Sequence, residues 1–356
     1  MGVRIIDNVQ TYKCPSCGGP LRFDPNAGKL VCDNCGNQYD AGRELEETDH
    51  FDWGAYKQQL SNEHMDDLKV YVCTACGAEI EADAATAATH CPYCDNNVVL
   101  SDKLSGGLKP NGIIPFRITP KQLPDIVQKF YKGKHLLPGK FFQRSKLESI
   151  QGVYVPFWLY DCTAGGGMDF TGRVERQYRE GDYDVHETRY YRLERDGQMR
   201  FVHIPVDGSE RMDDDLMDSI EPFDFSELRD FDSAYLAGYL AERFEEDPDD
   251  CLPRASTRLL NSASEALRAT CSGYSSVSLE RNGMQIASAD VKYVLLPVYV
   301  LNCAYGGKNY RFAVNGQTGK LVGELPVSRG KSMAYFFGIL AGVGAAVFAV
   351  LQGVLG

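Results

Sequence analysis

Eight of the twelve cysteines fall in CxxC pairs. Cys14-Pro-Ser-Cys17 is followed by Cys32-Asp-Asn-Cys35, and Cys73-Thr-Ala-Cys76 by Cys91-Pro-Tyr-Cys94. A CxxC turn brings two thiolates and nearby backbone N–H groups onto one metal ion. Two such turns complete a tetrahedral four-cysteine site, which suits zinc; iron is the chemical alternative for the same sulfur donors. The expected metal ligands are therefore Cys14, Cys17, Cys32 and Cys35 in one site and Cys73, Cys76, Cys91 and Cys94 in a second. Two structural zinc ions per chain follow, with no coordination position left open for water. His90 precedes Cys91 and reads as an exposed hairpin histidine, because four cysteines already close that site. A redox CxxC pair would sit singly in a βαβ pattern, which is absent.

The elements that must hold these thiolates are short. The second set lies 59 positions after the first, cysteine for cysteine. Tyr12 and Tyr71, and Gly18 and Gly77, keep the same offset, so the N-terminal region is a tandem repeat. Glycine after the second cysteine of a pair permits the tight turn. A hairpin then joins the two turns into a zinc ribbon. Such a ribbon has few apolar residues, so the metal supplies folding energy, typically about 10–16 kcal/mol. The boundaries read as ribbon 1 over 1–45, an acidic linker over 46–68 and ribbon 2 over 69–107.

From 108 to 330 the chain changes character. Pro156-Phe-Trp158-Leu-Tyr-Asp161-Cys162 resembles Pro297-Val-Tyr299-Val-Leu-Asn302-Cys303 at an offset of 141. Each copy is a β-branched and aromatic run ending in paired glycines, which reads as a strand into a turn. Asn315-Gly316 between two short apolar runs signals a hairpin. Helical patterns precede the copies near 120–131 and 253–271. An acidic insertion at about 207–250 carries 17 acidic and 3 basic residues, with expected helices near 213–220 and 233–244. The Arg-rich stretch from Arg173 to Arg195 is balanced by neighbouring carboxylates and reads as a cross-strand charge ladder. The fold class expected is multidomain α+β: two tandem four-cysteine zinc ribbons, a duplicated β-rich α+β domain with a helical insertion, and one C-terminal transmembrane helix.

That last element comes from 333–356, which carries no charged residue. About 20 helical residues cross a hydrocarbon core of roughly 30 Å. Arg329 and Lys331 flank the segment, and Tyr335, Phe336 and Phe337 sit where an interfacial belt would lie. With no signal peptide, this predicts a single-pass tail anchor in the inner membrane with the bulk of the chain in the cytoplasm. Gly338 and Gly342 form a GxxxG face that permits homo-oligomer formation.

Composition narrows the functions. The net charge is −12 and the mean hydropathy −0.30. Residues 1–107 hold 8 Lys plus Arg against 17 Asp plus Glu, a balance of −9 across the ribbons and the linker between them. That charge repels phosphate, so nucleic-acid binding is disfavoured. No P-loop, GxSxG, HExxH or helix-opening GxGxxG is present. No catalytic or cofactor-binding residue is assigned, and the chain is read as not an enzyme. An activity in the middle domain would have to use Cys162 or Asp161 near Trp158, and neither has a base or metal partner in view. Cys162, Cys251, Cys271 and Cys303 lack ligand spacing and read as buried thiols.

The double CxxC region, the run from Gly152 to Asp161, the segment Ile204-Pro-Val-Asp-Gly208-Ser, the segments from Asp213 to Phe223 and Ala234 to Tyr239, and the C-terminal run resemble the bacterial TFIIB-type zinc ribbon-containing membrane proteins. The resemblance covers almost the whole chain. It implies a zinc-binding, membrane-associated protein, with protein partners at the inner membrane face of the phage-shock-like or band-7 scaffold kind and a place in an envelope-stress complex. The function expected is a membrane-anchored zinc-ribbon adaptor. The competing expectation is a membrane-tethered nucleic-acid-binding ribbon protein of replication or transcription.

Overall fold

The computed structural model describes residues 5–6, 9–10, 12–41, 69–73, 79–82, 86–90, 97–100, 109–138, 141 and 150–355. The acidic linker expected at 46–68 lies outside them.

The two long strands Gln151–Glu180 and Gln285–Tyr305 carry the two sequence repeats and pair antiparallel with each other. Val155 pairs with Leu296, and these are equivalent positions of the repeat. A local twofold therefore runs between the copies. It extends to their neighbours. Leu240 pairs in parallel with Val153, and Gly112, 128 positions earlier, pairs in parallel with Val294, the repeat equivalent of Val153. Gly208 N donates to Pro156 O at 3.0 Å, and Gly316 N to Pro297 O at 2.8 Å. Trp158 Nε1 donates to Glu246 O at 3.0 Å, and Tyr299 OH to Ile118 O at 2.7 Å. Each half thus lends a short strand to the other half's long one.

Side chains alternate across these strands. Tyr154, Trp158, Tyr160 and Cys162 enter one core, which the helix Pro248–Ala269 covers with Cys251, Ala255, Leu259 and Ala263. Val153, Val155, Phe157 and Leu159 enter a second, covered by Met217, Ile220 and Phe223 of the insertion. Burial on both faces explains why the run reads as continuously apolar rather than alternating. The helix begins five residues before the expected start at 253. Asp247 caps it, accepting from Asp249 N and Asp250 N at 2.9 and 3.0 Å, and Pro248 takes the first turn.

The first repeat turns at Gly181 (φ 61°) into Tyr183–Asp207 and forms a long hairpin. Ser276–Asn282 supports it only along Met168–Arg173. Beyond that, 174–189 projects as a two-stranded tip with Tyr178 and Tyr183 exposed, and Tyr190, also exposed, stands at its base opposite Arg173. Arg176 faces Glu187 and Arg179 faces Asp184 across it, the opposed charges that the alternation suggests.

Three expectations are corrected. The described residues are mostly β, 45% strand against 25% helix, rather than the multidomain α+β fold expected. The physical reason is the length of the repeat strands: the first continues past Gly165-Gly166 to Glu180, while the second turns at Gly306-Gly307 as expected but begins as far back as Gln285. Within the insertion, 214–219 is helical, but the helix expected at 233–244 is a 3-10 turn, Ser233–Leu236, followed by the strand Leu240–Glu242. Gly238 (φ 92°) breaks the helical path, and pairing with Val153 and Tyr154 replaces it.

The third correction concerns the tail. Residues Arg329–Leu355 are helical, and the helix base is fastened by Ser328 N to Leu136 O (2.8 Å) and Lys331 Nζ to Leu137 O (2.8 Å). Among the described residues no helix is long and apolar enough to cross a membrane. The transmembrane helix, the tail anchor and the inner-membrane location drawn from them are therefore set aside.

Candidate metal centre

Ribbon 1 is a three-stranded sheet of Leu21–Asp24, Lys29–Cys32 and Gln38–Asp40, in antiparallel order. Cys14 and Cys17 lie in the turn before the first strand. Gly18 N donates to Cys14 O and Cys14 N to Gly19 O, both at 2.8 Å. Cys32 and Cys35 repeat the turn: Gly36 N donates to Cys32 O at 2.9 Å and Cys32 N to Asn37 O at 3.0 Å. Gly18 (φ 72°) and Gly36 (φ 73°) hold the left-handed conformation that each turn needs.

The turns bring the four Sγ atoms within 4.8 Å of one another. Cys14 and Cys35 stand 3.5 Å apart, Cys17 and Cys32 3.4 Å. Zn–S bonds of about 2.3 Å in a tetrahedron put sulfurs about 3.8 Å apart, so the four thiols fit a zinc ion with only slight adjustment. The surroundings favour the thiolate at Cys14 and Cys32, while the neighbouring thiols raise Cys17 and Cys35. The Tyr39 hydroxyl, 3.3 Å from Cys14 Sγ, pushes that thiol down to about 6. The backbone N–H of Cys35 lowers Cys32. Four sulfurs fill a tetrahedron, so the donor set is a structural one.

Cys14 and Cys32 are buried while Cys17 and Cys35 are exposed. The buried pair belongs to the same apolar core as Leu21, Phe23 and the body. Phe23 N donates to Ala237 O at 2.8 Å, and its ring meets Tyr235 edge-on at 5.0 Å. Tyr235 OH donates to Ala41 O at 2.8 Å, and the Tyr12 hydroxyl is bonded to Ser233. The ribbon is thus no isolated minidomain starved of core, as its composition alone implies. It is seated on the body.

The second expected site is not assembled among the described residues. Cys76, Cys91 and Cys94 lie outside them, and one four-cysteine cluster is seen. Cys73 is described and fully buried. Ribbon 2 contributes the strands Lys69–Val72, Glu79–Ala82, Thr86–His90 and Asn97–Leu100. Thr86–His90 joins the central sheet, pairing Ala88 with Ala241.

The other cysteines are buried. Burial raises Cys162 and Cys251 above the usual thiol range. Asp161 and Cys162 are neighbours on one strand and point to opposite faces. Asp161 accepts from His203 N at 2.7 Å and lies 3.9 Å from Lys292 Nζ, while Cys162 sits in the core. Tyr39 and Tyr235, which finish the metal site and its seat, carry no spacing signal in the sequence.

Residues 13–40 match a family described as Trm112p-like protein. That match supports a zinc-binding, ribbon-like module without making it TFIIB-type. Over 335 residues the chain is 37% identical to "Uncharacterized protein YdjG" of Bacillus subtilis (strain 168), covering 94% of this chain and 95% of that one. No solved structure matches.

Proposed function

This chain belongs to the family of Bacillus subtilis YdjG, and from that premise we propose that it is a non-catalytic zinc-ribbon adaptor. The observation that carries this reading is a closed four-thiol cluster built into the core of a body that extends an exposed hairpin. A saturated four-sulfur site leaves no position for a reacting water. The hairpin offers Tyr178 and Tyr183 at its tip and Tyr190 at the tip's base, among Arg176, Arg179 and Arg189, the residue types that dominate protein interfaces. An isolated two-stranded ribbon is marginal in water, so a partner is the natural support for the tip.

The same reading gives ribbon 2 its own zinc, held by Cys73, Cys76, Cys91 and Cys94. Cys73 is as buried as Cys14 and follows Val72, which pairs with Glu79, as Cys14 follows Lys13, which bridges to Pro20. Metal analysis of the full chain is expected to find about two zinc ions. A value near one removes the second site and keeps the first.

Affinity capture with the full chain tests the adaptor role. Tyr183→Ala with Tyr190→Ala changes only exposed side chains, so the fold is expected to hold while a captured protein is lost. Capture that is indifferent to the tip, or that returns only nucleic acid, overturns the reading.

A further inference from the structure

The two cysteine modules meet the body on one short segment. Ribbon 1 rests on its first part, through Phe23 N to Ala237 O and Tyr235 OH to Ala41 O, both 2.8 Å. Ribbon 2 is hydrogen-bonded to its last part, where Ala241 and Glu242 pair with Ala88 and Thr86. The same segment then pairs with the first repeat strand, Val153 with Leu240 and Tyr154 with Ala241. Residues 233–242 therefore form a ledge with one module on each half.

A second route joins the modules directly. Val9–Gln10 pairs with Asn97–Leu100 of ribbon 2, and Ile5–Ile6 pairs with Lys69–Val72. Three residues after Gln10 the chain reaches Lys13, and then Cys14, the first thiol of the cluster. A metal ion on the four thiols fixes both turns of ribbon 1. It thereby fixes Phe23 at the ledge and the chain that leads back to ribbon 2.

We infer that metal loading at Cys14, Cys17, Cys32 and Cys35 and the pairing of ribbon 2 with the body are positively coupled through the ledge Ser233–Glu242 and the N-terminal strands. This rests on zinc binding by the first module. Such coupling is reciprocal: whatever loosens ribbon 2 must loosen the metal, by the same factor. The ledge is the shared element, since it is continuous backbone between the two contacts. The chain thereby senses the state of either module at the other.

The test uses the full, zinc-loaded chain. Hydrogen exchange is followed at Thr86–His90 and Leu240–Glu242, with Val294–Leu296 at the twofold as an internal standard and zinc per chain measured on the same samples. Cys32→Ser is expected to speed exchange at Thr86–His90 by about fivefold or more, the lower end of typical coupling, with the standard unchanged. Tyr235→Phe removes only the bond to Ala41 and leaves every ligand in place. It is expected to speed exchange at the same strand and to hasten alkylation of Cys14, Cys17, Cys32 and Cys35 severalfold. In the reverse direction, Ala88→Pro is expected to hasten alkylation of those four thiols. Unchanged exchange and alkylation in all three variants, with zinc present in the wild type, overturns the coupling alone. A wild type without zinc overturns the metal reading instead, and Tyr235→Phe with unchanged exchange then overturns the ledge as well.

Discussion

Asp207 and Asn315 occupy equivalent corners of the two halves, each just before the glycine that bonds back to a repeat proline. Both are fully buried. Asn315 satisfies its amide, donating to Ile220 O at 3.1 Å and Pro222 O at 3.2 Å and accepting from Gln317 N at 2.9 Å. Asp207 is met by Arg254, while its Oδ2 has no partner among the described residues. Burial outweighs the arginine and pushes the Asp207 carboxyl up to about 6. A raised carboxyl pKa means that the folded state holds a proton which the unfolded chain, near 3.8, has lost. Stability from this group therefore rises as pH falls through 6 and is fully present below about 4, on the order of 3 kcal/mol. Asp207→Asn is expected to flatten that part of the Tm-versus-pH curve; an identical slope in both proteins would refute the assignment. The thiols give a second residue-scale prediction. Cys14→Ser and Cys17→Ser should both lower zinc content, but Cys14 is also a core residue. Thermal unfolding is expected to show the larger Tm loss for Cys14→Ser.

Elements here are set by close approaches as much as by pattern. Gly316 lies against the ring of Phe116, where a Cβ would come within 2.5 Å of Cδ1 and 2.8 Å of Pro297 Cβ. Phe116 in turn stacks on Tyr239 at 4.1 Å and meets Tyr154 at 4.9 Å. None of these rings can retreat cheaply in a packed interior. Gly316→Ala is expected to cost about 1–3 kcal/mol in urea unfolding, whereas Gly330→Ala, with open space around it, should change nothing measurable. The hairpin is the contrasting element. Its tip buries little, so Tyr183→Ala should stay within about 0.5 kcal/mol of wild type, and its effect is expected in binding alone.

At the scale of the whole molecule, the metal module and the body share a core without depending on each other equally. The twofold sheet has its own two apolar faces. Ribbon 1 has little apolar area beyond Leu21, Phe23 and Leu30. Chelation of zinc is therefore expected to abolish amide protection across Leu21–Asp24 while leaving Gln285–Tyr305 protected. Loss of protection in both together would mean that the metal holds the whole fold. The acidic balance also takes a place in space. Residues 1–107 carry −9 of the chain's −12, of which −6 sits on the linker 46–68 and −3 on ribbon 2; ribbon 1 is balanced, and its pairs Arg22 to Asp33 and Lys29 to Asp40, both at 3.0 Å, are exposed.

The ligand set of ribbon 1 is legible in the sequence because metal chemistry is local. Two sulfurs must converge within one turn, so the spacing and the following glycine are written in four or five consecutive residues. The repeat at offset 141 is legible for a similar reason, since duplicated strands keep their aromatic and β-branched order. The docking of ribbon 1 is not. Tyr235 and Ala41 are 194 positions apart and carry no shared period. The swapped short strands are equally hidden, because Gly112 and Leu240 pair with the opposite copy rather than their own. The tail shows the limit from the other side. A run without charge reads as a membrane span on composition, and the described helix does not meet that requirement. By itself the sequence determined the metal donors and the duplication. Only the tertiary structure decided that the copies embrace about a twofold and that both modules rest on Ser233–Glu242, because such contacts depend on which surfaces meet after folding, and no local spacing rule encodes that.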